Sequence, residues 1–600
     1  MKRIKLSFLF LVLIVPVIAQ GGKRIVILHT NDLHSRLNGF SPECQYSPLT
    51  EDDDDTRGGF SRISTILRNE AGKDNQTTLI LDAGDFLMGT LFHSLEQRTG
   101  FQLQLMKKMG YDVVSIGNHE FDFGPQTLAE IIIQSEKSGE IPEILLGNVV
   151  FNEKDPEDDI LEDLYNSGVI SKKLVVDKDG LRIGFFSLLG KDAADVAPLS
   201  KPVKFSKQIS SARAIVRELK GDNCDIIICI SHSGLTMDKA GRWTGEDVRL
   251  AESVRGIDVI ISGHSHTRLI DPLVINGIPI VQTGAYGENV GRLVLNWSDG
   301  FVRIDNYSLI PVDDKIRGDE EIQKMIEDQE NLVSGEILAP LHIKYSDPVA
   351  ETDFILECNE QGDFINSNLG PLIADAIHNY VNNHSKDGCD ISMVAVGVIR
   401  DKIIPGILTA PDVFRIMSLG SGEDEVPGYP LARLYVTGRE LKNILEILQV
   451  AYKSSPSNFC FYSGMKVEFN PDKGLLRKIG KIEITDHEGI HEVGFSKRDK
   501  KLYSVTANSY MLEFIGIIRK ASFGLINVVP KDSNGNPLTD MKKAVIDMDE
   551  GVSGVQEGKE WLALIEFLGS MEDLDNNGIP DIDRKYAFPV HTFYSVGKQK

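Results

Sequence analysis

Short apolar runs rich in β-branched residues recur between residue 23 and about residue 311, at 25–28, 79–81, 113–116, 226–230 and 259–261. The segments between them, such as 60–68, 101–109 and 209–219, carry apolar residues at three- and four-residue spacing, the pattern of an amphipathic helix. Runs that are apolar throughout, alternating with such helices, predict an α/β layered domain whose sheet is buried on both faces by helices. Residues 313–338 are polar and acidic and predict a linking helix. A second α/β unit follows, with helices at 369–380 and 440–448 and strands at 393–396, 465–469 and 482–485. The run Glu51-Asp52-Asp53-Asp54-Asp55 reads as a solvated loop, and no internal repeat is present.

The first residues have a different pattern. A basic start, Met1-Lys2-Arg3-Ile4-Lys5, precedes an apolar run over 6–18 and the small residue Ala19, which together read as a secretory signal peptide at 1–19. That run is shorter than the roughly 20 residues a membrane span needs, and no later stretch is long enough to cross a bilayer. The expectation is an exported protein, periplasmic or secreted, with no membrane span after signal cleavage. The chain has 600 residues, of which 42% are hydrophobic, an ordinary globular composition. Its 64 Lys+Arg against 88 Asp+Glu leave a net charge of −24, so a nucleic-acid polymer is excluded as the main partner: nothing would neutralise its phosphates. Six cysteines select no disulfide pairing and fall in no metal-ligand spacing; Cys229, inside an apolar run, reads as a buried thiol.

Candidate chemistry lies where the strands end. The first run leads into His29-Thr30-Asn31-Asp32-Leu33-His34 and the second into Asp82-Ala83-Gly84-Asp85. The third leads into Gly117-Asn118-His119-Glu120-Phe121-Asp122, the fourth into Ser231-His232-Ser233-Gly234, and the fifth into Ser262-Gly263-His264-Ser265-His266. Ligands of open α/β sheets bind beyond the carboxyl ends of the strands, so these side chains are expected to converge. Imidazole, carboxylate and amide oxygen together suit borderline and hard divalent metals. Seven candidate ligands (Asp32, His34, Asp85, Asn118, His232, His264 and His266) exceed one tetrahedral site but fit two ions sharing a carboxylate, with Asp85 beside Gly84 the natural bridge.

These blocks, Asp32-x-His34, Gly84-Asp85, Gly117-Asn118-His119-Glu120, His232 and Gly263-His264-x-His266, resemble the signature blocks of the calcineurin-like metallophosphoesterases. The longer strings His29-Thr30-Asn31-Asp32, 117–124 and Ala285-Tyr286-Gly287 resemble one branch, the exported 5′-nucleotidase/UDP-sugar hydrolase family. The resemblance implies a four-layer α/β/β/α metallophosphoesterase domain at 20–312, a linker helix at 313–340 and a second, smaller α/β substrate-binding domain at 341–569. It implies one metal ion held by Asp32, His34, Asp85 and His266 and a second by Asp85, Asn118, His232 and His264, the ions being zinc, manganese or similar. It makes His119 and Asp122 the catalytic pair. A carboxylate three residues on can accept the second N–H of the imidazole and hold it cationic and oriented. The implied activity is removal of phosphate from nucleoside 5′-monophosphates or related nucleotides by metal-activated water. UDP-sugar diphosphohydrolase and 2′,3′-cyclic phosphodiesterase/3′-nucleotidase are alternatives on the same centre, and an extracellular binding protein on a phosphatase fold is the non-enzyme alternative.

The second domain departs from the family. Ala395-Val396-Gly397-Val398-Ile399-Arg400 stands where the family has Asn-Gly-Gly-Gly-Ile-Arg, which retains Arg400 as a substrate contact and replaces the Asn and two glycines. Phe459 matches one base-stacking aromatic, and the string that carries the second is absent; Tyr510 and Phe514 are the aromatics in that region. The acidic tail at 570–600 contains Asp573-x-Asp575-x-Asn577-Gly578-x-x-Asp581, the spacing of a calcium loop. Arg584 stands at its twelfth position in place of an acid, so a calcium loop and an acidic solvated turn both remain open.

Overall fold

All five apolar runs become strands, but they divide between two sheets. The computed structural model describes residues 22–596 except 74–75, 299, 359–363, 454–455, 475, 487–488, 514–528 and 539; the expected signal peptide and Phe514 lie outside the described residues. One sheet has seven strands in the order Phe301–Pro311, Asn289–Ser298, Lys23–Thr30, Thr77–Asp82, Val113–Ser115, Glu143–Leu145 and Ile170–Ser171. The other has six, in the order Leu273–Ile275, Ile278–Val281, Val259–Ser262, Ile226–His232, Leu181–Leu189 and Lys173–Lys178. Lys23–Thr30, Thr77–Asp82 and Val113–Ser115 run parallel in the first sheet, and Ile226–His232 and Val259–Ser262 run parallel in the second.

The expectation of helices on both faces of one sheet is corrected here. Alternate residues of a strand point to opposite faces. Ile25 and Ile27 pack with Leu79, Ile228 and Ile261 in a core between the two sheets. Val26 and Leu28 face outward, onto the helices Phe60–Ala71, Phe101–Met109 and Gly124–Ser138. Helices Gln208–Gly221 and Glu246–Ser253 cover the outer face of the second sheet through Ile215, Leu219 and Leu250. The layers are therefore α/β/β/α, and each strand is buried by a helix layer on one side and by a sheet on the other.

The acidic run is a second correction. Asp54 is buried: it accepts the N–H groups of Ser47 and Thr56 and pairs with the fully buried Arg62 at 2.9 Å. Its neighbours Asp52, Asp53 and Asp55 are exposed, as a solvated loop requires. The linking helix Glu320–Val333 is docked on the first domain. Its Asp319 N-cap also accepts the Ser64 hydroxyl at 2.9 Å, and Ile322, Ile326 and Val333 join the core of Ile63 and Leu67.

In the second unit a four-stranded sheet, ordered Leu431–Thr437, Leu502–Asn508, Ile391–Ala395, Cys460–Ser463, lies between helices Leu369–His384 and Gly438–Ala451. The apolar core of the first sheet's outer face continues into this unit through Leu338, Phe414 and Trp561. The C-terminal segment is no free tail. Tyr586 is buried and donates its hydroxyl to Asp375 at 2.6 Å, and Phe593–Ser595 pairs in parallel with Met465–Phe469. All six cysteines are free thiols, with Cys229 buried. Among the described residues no helix is long and apolar enough to cross a membrane.

Candidate active site

Ends of strands from both sheets meet at one edge of the sandwich. Asp32, His34, Asp85, His264 and His266 all adopt left-handed backbone, with φ between 51° and 75°. Such conformations are uncommon outside glycine and concentrate at functional sites, where the surroundings must hold them. Here the loops hold one another: Asp32 N donates to Gly84 O at 2.9 Å, His34 N to Asp85 O at 2.9 Å, and Tyr286 N to Asp32 O at 2.8 Å. Gly84, at φ 89°, is where two loops touch; a Cβ there would stand 2.7 Å from Gly117 N.

Two groups of donors lie side by side, linked through Asp85 and His34. Asp32, His34 and His266 present ligand atoms all within 4.8 Å of one another, as do Asp85, His232 and His264; Asp85 also forms a third group with His34 and His119. Asn118 completes the second group, its Oδ1 3.2 Å from His232 Nε2. All seven residues singled out as ligands are thus brought together, with Asp85 between the groups.

The donor chemistry fits cations. His232 Nδ1 donates to Ala83 O at 2.8 Å, which turns its Nε2 toward Asp85 Oδ2 at 3.0 Å and Asn118 Oδ1 at 3.2 Å. Burial works against its charge, but Asp85 outweighs it and raises the imidazole pKa to about 10. Likewise His34 Nε2 and His266 Nε2 face each other at 3.1 Å. Oxygens and ring nitrogens converging in this way need a positive charge between them, a proton or a metal ion in its place. A histidine that gives its other N–H to a backbone carbonyl is the usual metal-ligand arrangement. Burial pushes the Asp85 carboxyl up, but His232 and then His119 outweigh it and hold it well below the carboxylate range. The oxygen is therefore charged and available.

His119 stands beside this centre. Its Nδ1 meets Asp122 Oδ2 at 2.6 Å, and its backbone N–H donates to Asp85 Oδ1 at 2.8 Å. Burial works against the charged imidazole, yet Asp122 and then Asp85 outweigh it, so the pKa is raised above the ordinary histidine value. Arg400, from the second domain, brings a guanidinium nitrogen within 3.4 Å of His119 Nε2.

A cavity of about 630 Å³ opens from His119, Asn118 and His264 past Arg400 into the second domain, where Met393, Ile444 and Leu448 form apolar wall. Phe459 is not among its described lining residues. Its ring stacks on Phe364 at 5.5 Å and meets Phe461 and Tyr452 edge-on. Tyr510 does line the cavity, stacked on Tyr429 at 5.0 Å.

Several supporting residues escaped the sequence reading. Buried Glu120 accepts the N–H groups of Asp85, Leu87 and Gly117 at 3.1, 2.9 and 2.6 Å, which locks two ligand loops together; burial pushes its carboxyl up to about 8. Buried Asp247 accepts the hydroxyls of Ser231 and Ser262, both at 2.6 Å, and so ties the strand ends that carry His232 and His264. Asn31 donates to Asp32 Oδ2 at 2.6 Å and accepts Thr283 N at 2.9 Å. Asp192 reaches His264 Nε2 at 3.3 Å from an exposed helix. Asn31, Glu120 and the serines closing two apolar strands stand inside the strings that end those strands, without a sign of their supporting roles; nothing marked Asp247 or Asp192.

In the C-terminal loop, Asp575 and Asp581 converge with Glu351, their oxygens within 4.8 Å of one another. Asp573 instead accepts Gly578 N at 2.9 Å, and the Asn577 amide donates to Glu351 at 2.7 Å. Arg584 turns away to pair with Asp353.

Residues 25–268 match the calcineurin-like phosphoesterase family, and residues 348–515 match the family of 5′-nucleotidase C-terminal domains. Among curated proteins, the 5′-nucleotidase of Mus musculus is 26% identical over 529 residues, covering 82% of this chain and 83% of that one. The apyrase of Aedes aegypti is 27% identical over 519 residues, covering 82% and 84%. Among solved structures, a 5′-nucleotidase precursor from Thermus thermophilus superposes with a TM-score of 0.65 at 20% identity, over 95% of this chain and 99% of that one.

Proposed function

The chain belongs to the 5′-nucleotidase family of metal-dependent phosphoester hydrolases, a calcineurin-like phosphoesterase domain joined to a 5′-nucleotidase C-terminal domain, and from this we propose that it releases phosphate from nucleoside 5′-monophosphates or related nucleotides outside the cytoplasm. The observation that carries the reading is the two adjacent donor groups, linked through Asp85 and His34, beside the His119–Asp122 pair. Asp32, His34, Asp85 and His266 would hold one divalent ion, and Asp85, Asn118, His232 and His264 the other. Two such ions, when bound, supply Lewis-acid polarisation of the phosphoryl oxygens and an activated water nucleophile.

The remaining work falls to the chain itself. Asp122 keeps His119 oriented and its charged form favoured, so that Nε2 donates to the phosphoryl or leaving oxygen as charge develops there. Arg400 adds a fixed guanidinium at the same point, suited to phosphoryl oxygens. Apolar walls receive the alcohol half of the ester, with Tyr429, Tyr462 and Tyr510 rather than Phe459 as aromatics on the cavity surface; a stacked base is worth about 1–3 kcal/mol in single-strand binders. The domain limits that accompany this reading are 20–312, 313–340, 341–569 and 570–600, with 1–19 as the export signal.

The test is phosphate release by protein stripped with chelator and reconstituted with Mn²⁺, Zn²⁺ or Co²⁺. AMP, UDP-glucose, a 2′,3′-cyclic nucleotide and an aryl phosphate form the panel. Metal-dependent release from AMP is expected. Cleavage of UDP-glucose or the cyclic nucleotide alone would move the assignment to one of the alternatives on the same centre, and no metal-dependent release from any substrate would sink it.

For the C-terminal loop we read calcium as the ion, with Glu351 supplying the acid that Arg584 does not. Calcium is then expected to raise the melting temperature of the wild-type chain and to leave Asp581→Asn unmoved. An equal response of the two proteins would leave the loop an acidic turn.

A further inference from the structure

We infer that Arg36 and Asp401 are positioning residues that set Arg400 over His119 by an ion-paired bridge between the two domains. The inference rests on the reading of Arg400 as a phosphoryl contact. Arg36 belongs to the first domain, two residues beyond His34, and a guanidinium nitrogen donates to Asp401 Oδ2 at 2.7 Å. Asp401 directly follows Arg400. Its same oxygen accepts Arg415 Nε at 3.2 Å, and Arg415 in turn donates to Asp412 at 2.8 Å. Two cations and two anions thus alternate across the domain junction. The side chains of Arg36, Asp401 and Arg415 are only 7%, 10% and 10% exposed.

Both ends of this bridge are referenced to the first domain, and one of them to the metal-ligand cluster. The Arg36 guanidinium stacks 4.3 Å over Tyr286, whose ring lies 5.6 Å from that of His34 and 5.5 Å from that of His266. On the far side, Arg415 stacks 3.6 Å over Phe40, a first-domain residue. Asp401 is therefore held from two directions, and the backbone of Arg400 is held as well, its N–H donating to Ile416 O at 2.9 Å. A guanidinium side chain loses much rotamer freedom when it engages a ligand. Fixing its anchor beforehand reduces that loss and keeps the donor in reacting geometry.

Closure of the domains does not by itself call for buried charge. Apolar and aromatic contacts already cross the junction, as in Phe92 with Tyr345 and His93 with Phe414. A buried ion pair is weak as a source of stability, and its best-attested use is to fix one register. The register fixed here is that of Arg400 against His119.

The experiment compares Arg400→Ala, Asp401→Asn, Arg36→Lys and the double variant Arg400→Ala/Asp401→Asn in full-length, metal-loaded protein. The readouts are kcat and KM, competitive inhibition by inorganic phosphate, bound metal and melting temperature. Asp401→Asn is expected to lower kcat/KM by on the order of 10²-fold and to weaken phosphate inhibition, with metal content unchanged. Arg36→Lys, which keeps the charge and loses the planar fork, is expected to fall between it and wild type. The double variant is expected to be no worse than Arg400→Ala alone, because the bridge acts only through Arg400. Multiplying effects in the double variant, or a loss of melting temperature with kcat/KM intact, would overturn the inference. Unchanged kinetics in Arg400→Ala would overturn the earlier reading of Arg400 and the bridge together. An impaired Arg400→Ala beside a wild-type-like Asp401→Asn would overturn the bridge alone.

Discussion

Asp85→Asn is expected to leave a folded protein that has lost bound metal and phosphate release together. Asp85 converges with His232 and His264 on one side and with His34 and His119 on the other, so its replacement removes a charge from between the two donor groups. The substitution is nearly isosteric, and the amide oxygen can still accept the His119 N–H now held by Oδ1 at 2.8 Å. What cannot be kept is the anionic oxygen 3.0 Å from His232 Nε2. Loss of an outer partner of a metal ligand typically costs roughly 10–100-fold in affinity or activity; loss of a shared ligand is expected to exceed this. Metal analysis of gel-filtered protein, with circular dichroism as the fold control, provides the check. Full metal content with wild-type turnover would remove Asp85 from the centre.

His119→Ala is expected to lower kcat by about 10²–10⁴-fold, the range for a positioned acid–base group, while bound metal stays at the wild-type level. The separation follows from geometry. His119 faces Asp122 through Nδ1 and Arg400 through Nε2, so its ring is committed to the reacting side. Asp122→Asn is expected to lower kcat by less, because it leaves the imidazole in place and removes only its orientation and charge support. Since Asp122 acts through His119, the double variant should match His119→Ala alone. Single-turnover phosphate release with AMP decides the matter, and an undiminished kcat in His119→Ala would reassign proton donation to another group.

The parts of the molecule that could be read from the chain are those where chemistry is written locally. Asp, Asn and His at the ends of five apolar runs announced a cation centre because those donor types have few other reasons to sit together after buried strands. Helix 101–109 and strand 465–469 were legible from spacing alone and have the same bounds in the structure. Glu120 was visible as a letter in a motif but not as the acceptor of three backbone N–H groups. Asp247 was invisible because its partners, Ser231 and Ser262, lie 16 and 15 residues away in the chain. Asp54 went unread because its acidic neighbours are solvated, while Arg62, eight residues on, takes it into the interior.

Residue types and their order along the chain were enough to determine the layered α/β class and to single out candidate donors for divalent cations, since apolar periodicity and ligand preference are properties of short segments. Contacts between distant segments decided the rest. Whether helices or a second sheet bury Ile25 and Ile27, which donors share Asp85, and that Arg36 reaches Asp401 across 365 residues of chain depend on how the two sheets and two domains pack. The reason is physical: hydrophobic burial specifies that a face be covered and is indifferent to what covers it, whereas metal ligation and ion pairing act only at a few ångströms and take effect once packing has brought their partners together.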